Sequence, residues 1–182
     1  YVPNILKEDI VFSAGRLWDE AKNITALADA ADKISAPVYI AGDTSGPVGN
    51  TLEFGNVNFL GVLSEKDIAS WMGRSAIYAL PARYEPFGLS VLEAALSKCA
   101  LVLGGIETLR ELWDGAAIFV QAGDSEHLAY EINSLLNDPN KRALLVDKSY
   151  KRALQLPSET TAVKYLKTYN ELYSYKSANV IL

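Results

Sequence analysis

Two carboxylates, Glu85 and Glu93, bracket the run Tyr84-Glu85-Pro86-Phe87-Gly88-Leu89-Ser90-Val91-Leu92-Glu93. Between them a Pro-Phe-Gly turn leads into an apolar, helix-like segment. Such a turn can aim backbone N–H groups at an anion, because the first N–H groups of a helix have no partner inside it and its dipole favours negative charge there. A carboxylate on each side can accept hydrogen bonds from hydroxyls that flank the anion. A molecule with a central diphosphate and hydroxyls at both ends fits this layout, and a nucleotide sugar is such a molecule.

The loop Gly15-Arg16-Leu17-Trp18-Asp19-Glu20-Ala21-Lys22-Asn23 offers positive charge. Gly15 permits close approach of a ligand to the backbone. Arg16 can bind phosphate oxygens with its planar fork, and Lys22 can do so as a point charge. Two solvated surface cations are the plainer alternative. The sequence contains neither G-x-G-x-x-G nor G-x-x-x-x-G-K-[ST], so neither dinucleotide nor P-loop binding is indicated. A glycosidase acid/base pair is a rival reading of Glu85 and Glu93, but a glycosidase needs no anion cradle. The segment Asn58 to Leu63, with Gly61, is a candidate to hold a base through backbone groups. Gly104-Gly105-Ile106-Glu107-Thr108 is a weaker candidate anion loop, and His127 reads as a solvated helix residue.

The elements that must position these groups alternate. Apolar runs at 10–14, 38–41, 57–60, 76–80, 100–103 and 116–120 read as strands buried on both faces. Between them Ile24, Leu27, Ala28, Ala31 and Ile34 have helical spacing, as do Leu89, Leu92, Ala95 and Leu96. Ser64 to Asp67 reads as a capping box before Ile68, Trp71 and Met72. Three further helices are expected over 125–137, 140–154 and 159–175, the last with Tyr165, Tyr169, Leu172 and Tyr173 along one face. The fold class is therefore α/β: a Rossmann-like parallel sheet with helices on both faces and a helical C-terminal third. Ligands bind such sheets beyond the carboxyl ends of the strands.

The 182 residues suit one domain, and 49% of them are apolar, enough for a full core. A net charge of −5 argues against nucleic-acid binding. The lone Cys99 allows no disulfide framework, reads as a core thiol and is compatible with a reducing, cytoplasmic compartment. No apolar run reaches the roughly 18 residues that span a membrane. One His, one Cys and no Asp-x-Asp give no basis for a metal or other cofactor. The start at Tyr1 is expected to reflect a piece of a longer chain.

Gly15-Arg16-Leu17 with Lys22, Phe59-Leu60-Gly61, and Glu85-Pro86-Phe87-Gly88-Leu89 with Glu93 together resemble the nucleotide-sugar-binding half of retaining glycosyltransferases of family 4. The similarity extends to Thr108 to Trp113, the acidic loop near Asp124 and the terminal helix, so it covers nearly the whole chain. It implies the GT-B architecture, of which residues 1–182 would be the single C-terminal, donor-binding domain. Arg16 and Lys22 would grip the diphosphate, and Phe87, Gly88 and Leu89 would meet phosphate and sugar through their backbone. Glu85 would bind sugar hydroxyls as the catalytic carboxylate, and Glu93 the ribose. Transfer with retention, without a bound metal, would then require an N-terminal half that binds the acceptor. Any membrane association would lie in that half. Glu107 departs from the family pattern, where Pro is frequent. The alternatives are a GT-B-type sugar epimerase or phosphorylase domain, or a catalytically silent nucleotide-binding module.

Overall fold

The apolar runs assemble into a six-stranded sheet in the computed structural model, which describes residues 6–46, 55–156 and 166–170. The strands are β1 (Glu8–Ala14), β2 (Val38–Ala41), β3 (Asn58–Phe59), β4 (Ser75–Leu80), β5 (Ala100–Gly104) and β6 (Ile118–Val120). They lie in the order β3-β2-β1-β4-β5-β6, and every neighbouring pair is parallel. All residues of β4 and β5 are buried, which is why these strands are apolar throughout rather than alternating.

The helices are α1 (Ile24–Ala31), α2 (Glu65–Arg74), α3 (Leu89–Leu96), α4 (Glu107–Trp113), α5 (Ser125–Asn137) and α6 (Pro139–Ala153). Parallel crossovers are right-handed. The chain steps one way from β1 to β2 and the other way from β4 to β5, so α1 and α3 cover opposite faces. The last two helices complete the layers, α5 against α1 and α6 against α3. The fold is thus the expected Rossmann-like α/β sheet with helices on both faces. No strand follows Val120 among the described residues. No helix among them is long and apolar enough to cross a membrane.

Boundaries differ where polar groups extend or cut a strand. Glu8 and Asp9 lengthen β1 at its exposed end, and Glu8 there pairs in register with Ser75 and receives a two-pronged bond from Arg74 at 2.8 Å. An edge position confines β3 to two exposed residues. Ala116 and Ala117 precede β6 in a turn that Gly115 opens with φ 73°. The expected cap of α2 forms, with Ser64 Oγ accepting from Asp67 N at 3.2 Å. Of the expected terminal helix, 166–170 is helical and exposed, and the remainder lies outside the described residues.

Strand order reverses between β1 and β4. Their following segments leave in opposite directions and open a crevice at the carboxyl edge of the sheet, the usual ligand site of such folds.

Candidate functional site

The two loops flanking this crevice are those with the chemistry-bearing residues. After β1 the chain runs through Gly15 into a short 3-10 turn, Glu20–Lys22, capped by Asp19, whose Oδ1 accepts from Ala21 N at 3.0 Å. Asn23 then adopts a left-handed conformation, φ 53° and ψ 38°, and starts α1. Its buried amide donates to Pro81 O at 2.9 Å, at the end of β4. Ala21 O accepts from both Arg83 N (2.8 Å) and Tyr84 N (3.2 Å). Three backbone-directed bonds therefore fasten the loop after β1 to the loop after β4.

This fastening brings Lys22 to Glu85. The ammonium donates to Glu85 Oε2, and the two side chains are only 15% and 11% exposed. Glu85 Oε1 accepts from Gly88 N at 2.9 Å, and Glu85 O accepts from the Thr108 hydroxyl at 2.7 Å. Glu85 lies on the loop, as its sequence position suggests, but its carboxylate turns inward instead of standing open. Burial favours this: a carboxylate out of water needs a cation and hydrogen-bond donors.

Gly88, with φ 81°, starts α3 without any side-chain cap. A Cβ at Gly88 would lie 3.1–3.3 Å from Val91 and Leu109. The turn therefore depends on glycine both sterically and conformationally. The first N–H groups of α3 face the carboxyl edge with no acidic residue in the first turn, an arrangement that favours an anion. Phe87 and Leu89 flank this end and are exposed. Glu93 is half-buried on the second turn of α3.

Arg16 is arranged differently. Its guanidinium lies 3.0 Å from Asp19 Oδ2 and 5.4 Å from the Trp18 ring centre, with the side chain 64% exposed. Gly15 leaves the crevice open, since a Cβ there would meet only Lys22 Cγ, at 4.0 Å. Gly61 stands two strands away, beyond β3, and its carbonyl accepts from Gly42 N at 2.8 Å. Gly42 in turn packs so tightly that a Cβ would fall 1.8 Å from Gly15 O. Gly15, Gly42 and Gly61 thus form one continuous backbone ledge along the carboxyl edge. In the Gly104-Gly105 loop two N–H groups are already taken: Gly105 N donates to Val120 O (2.8 Å) and Ile106 N to Gly104 O (2.9 Å).

Tyr78 and Asn23 belong to the site's frame although sequence reasoning passed over both. Tyr78 is fully buried on β4 and donates to Ala14 O at 3.1 Å. Burial pushes its phenol well above the ordinary range, partly opposed by hydrogen bonds with Ser90 and Ala14 and reinforced by the charges of Glu93 and Glu85. It is a neutral post under the crevice. The signal for Asn23 was its tolerance of left-handed backbone; Tyr78 was hidden in an apolar run. His127 lies half-exposed on α5, 3.5 Å from Glu131. Cys99 is buried, donating to Met72 O at 3.1 Å, and burial pushes its thiol up to about 11. Among the described residues no group of three or more His, Cys, Asp and Glu side chains is placed to hold a metal ion.

Known proteins resemble this chain in sequence and in fold. The family described as glycosyl transferases group 1 matches residues 8–138. A Campylobacter jejuni relative, N,N'-diacetylbacillosaminyl-diphospho-undecaprenol alpha-1,3-N-acetylgalactosaminyltransferase, is 31% identical over 93% of this chain and 46% of its own length. The Escherichia coli O-antigen chain mannosyltransferase B is 23% identical over 65% of this chain and 31% of its own. Among solved structures, sucrose-phosphate synthase from Thermosynechococcus elongatus superposes with a TM-score of 0.78 at 23% identity, over 92% of this chain and 46% of that one. Anabaena HepE in complex with UDP-glucose superposes with a TM-score of 0.79 at 23% identity, over 89% and 48%. These structures share the fold, that of one half of a GT-B glycosyltransferase. The chain spans less than half the length of these relatives.

Proposed function

The chain belongs to the glycosyl transferases group 1, and on that premise we propose that it is the C-terminal, donor-binding domain of a retaining family 4 glycosyltransferase. The observation that carries this reading is the meeting of Lys22, Glu85 and the start of α3 at the strand-order reversal. A diphosphate seated there has a buried cation on one side, the exposed guanidinium of Arg16 on the other and the α3 N–H groups beneath it. Gly15 leaves room for it. These groups stabilise negative charge on the diphosphate as it becomes a leaving group, the form of electrostatic help acyl- and phosphoryl-transfer sites share.

The remaining groups divide the donor between them. Glu93, one turn into α3, reaches the nucleoside side and accepts from the ribose. The Gly42–Gly61 ledge offers backbone groups to the base. Glu85 keeps free lone pairs after bonding Lys22 and Gly88 N, so sugar hydroxyls can donate to it. In this reading no metal is required, because Lys22, Arg16 and the helix terminus supply the positive charge. The acceptor and the remaining catalytic groups come from an N-terminal GT-B half. A cytoplasmic location accords with the free buried thiol of Cys99.

Calorimetric titration with UDP-, GDP- and ADP-sugars tests the reading. One nucleotide class should bind, and Lys22→Ala should abolish that binding. Absence of binding to every nucleotide would overturn it. Retention is tested on the two-domain protein by NMR of the product's anomeric configuration, and an inverted product would refute that part.

A further inference from the structure

Arg16 and Lys22, the cations of the loop after β1, already hold a carboxylate each: Arg16 has Asp19, and Lys22 has Glu85. The two pairs differ in consequence. Arg16 is 64% exposed, so solvent and salt screen its pair. Lys22 and Glu85 are 15% and 11% exposed, so their fields extend further. Glu85 is also tethered, through Gly88 N on its carboxylate and Thr108 on its carbonyl. An anion arriving at Lys22 or at the start of α3 therefore meets a fixed negative charge beside its cation.

Two ligands of the site differ in the charge that meets Glu85. In an intact nucleotide sugar, the distal phosphate is joined to the proximal one by an anhydride bond and to the sugar by an ester, and carries one negative charge. In the free nucleoside diphosphate that transfer leaves behind, that phosphate is terminal, held only by the anhydride bond, and its second ionisation brings it to about −1.5 to −2 at pH 7, as in a phosphomonoester. The added charge sits where the sugar was attached. The sugar hydroxyls that could donate to Glu85 have departed with the sugar. One carboxylate thus accepts from the substrate and repels the product.

Resting on the donor reading above, we propose that the buried Lys22–Glu85 pair selects intact nucleotide sugar over free nucleoside diphosphate, with Glu85 as the specificity-determining residue. Lys22 supplies attraction common to both ligands. Glu85 subtracts from it more for the more highly charged one, which favours product departure.

The test is Glu85→Gln, a near-isosteric change whose amide oxygen can still accept from Gly88 N and preserve the turn. The 182-residue chain and its variant are titrated by calorimetry with UDP and UDP-glucose, and with the guanosine and adenosine counterparts. Removing a like charge at close range should tighten nucleoside diphosphate binding by about tenfold. Nucleotide-sugar binding should be unchanged or weaker. Glu85→Asp, which keeps the charge, should keep the parent's preference. Equal weakening of both ligands in Glu85→Gln, as a loosened loop would cause, overturns the proposal, and so does an unchanged ratio. A parent chain that binds none of these nucleotides overturns the donor reading and this selector with it. A parent that binds them while the ratio stays fixed overturns the selector alone.

Discussion

Asn23 and Pro81 join the two loops of the crevice: the Asn23 amide donates to Pro81 O at 2.9 Å across 58 residues of sequence. The bond is buried, and Asn23 holds it from a left-handed backbone with φ 53°. Removing the side chain orphans a carbonyl and leaves a residue poorly suited to that backbone. Asn23→Ala should destabilise the domain by about 2–4 kcal/mol, the sum of an unsatisfied buried acceptor and left-handed strain. Asn23→Gly should cost less, because glycine relieves the strain. Urea unfolding of both variants checks the order.

Gly15 and Gly42 should separate binding from folding. A Cβ at Gly42 would lie 1.8 Å from Gly15 O, whereas a Cβ at Gly15 would meet nothing nearer than Lys22 Cγ at 4.0 Å. Gly42→Ala should cost more than about 3 kcal/mol, the far end of the range for single substitutions. Gly15→Ala should melt within a few degrees of the parent but bind nucleotide diphosphates more weakly, because the methyl enters the crevice. Equal melting temperatures for the two variants would contradict this geometry.

The donor-binding side chains should rank by burial. Lys22→Ala removes a cation that is 15% exposed and strands Glu85, so it should both lower stability and abolish diphosphate binding. Arg16→Ala removes an exposed, screened cation and should weaken binding with no measurable loss of stability. Glu93→Ala should weaken nucleoside diphosphate and nucleotide sugar alike, by roughly 1.5–3 kcal/mol for a lost charged hydrogen bond. Calorimetry and thermal unfolding on the same samples give both readouts.

Nucleotide binding should be indifferent to divalent metal. Titrations in excess chelator and in millimolar magnesium should give the same affinity once free-ligand complexation is corrected. A strict magnesium requirement would contradict a diphosphate grip built from Lys22, Arg16 and the α3 terminus.

Cys99 should resist alkylation. Burial raises its thiol to about 11, so at pH 8 the reactive thiolate is scarce in the folded chain and far more abundant in an unfolded one, where the ordinary value is about 8.5. Iodoacetamide should label it only as fast as the fold opens, and labelling should rise steeply in urea. Fast labelling of the native chain would place the thiol outside the core.

The sequence alone determined the elements and much of the chemistry. Continuous apolar runs marked the strands, 3.6-residue spacing marked the helices, and Gly88 and Ser64 marked where helices begin, because period and turn chemistry are local properties of the chain. The Glu85–Glu93 spacing and the charges of the Gly15 loop were legible for the same reason. What only the tertiary structure decided is which loops meet. The order β3-β2-β1-β4-β5-β6 sets β1 beside β4, and no local pattern encodes which strand becomes a neighbour. That adjacency turns two distant charges, Lys22 and Glu85, into one buried pair. It directs Asn23 to Pro81 and makes Tyr78, one more apolar position in the sequence, the post beneath the crevice. Such long-range pairings follow from packing whole elements together, so they become visible only when the sheet is assembled.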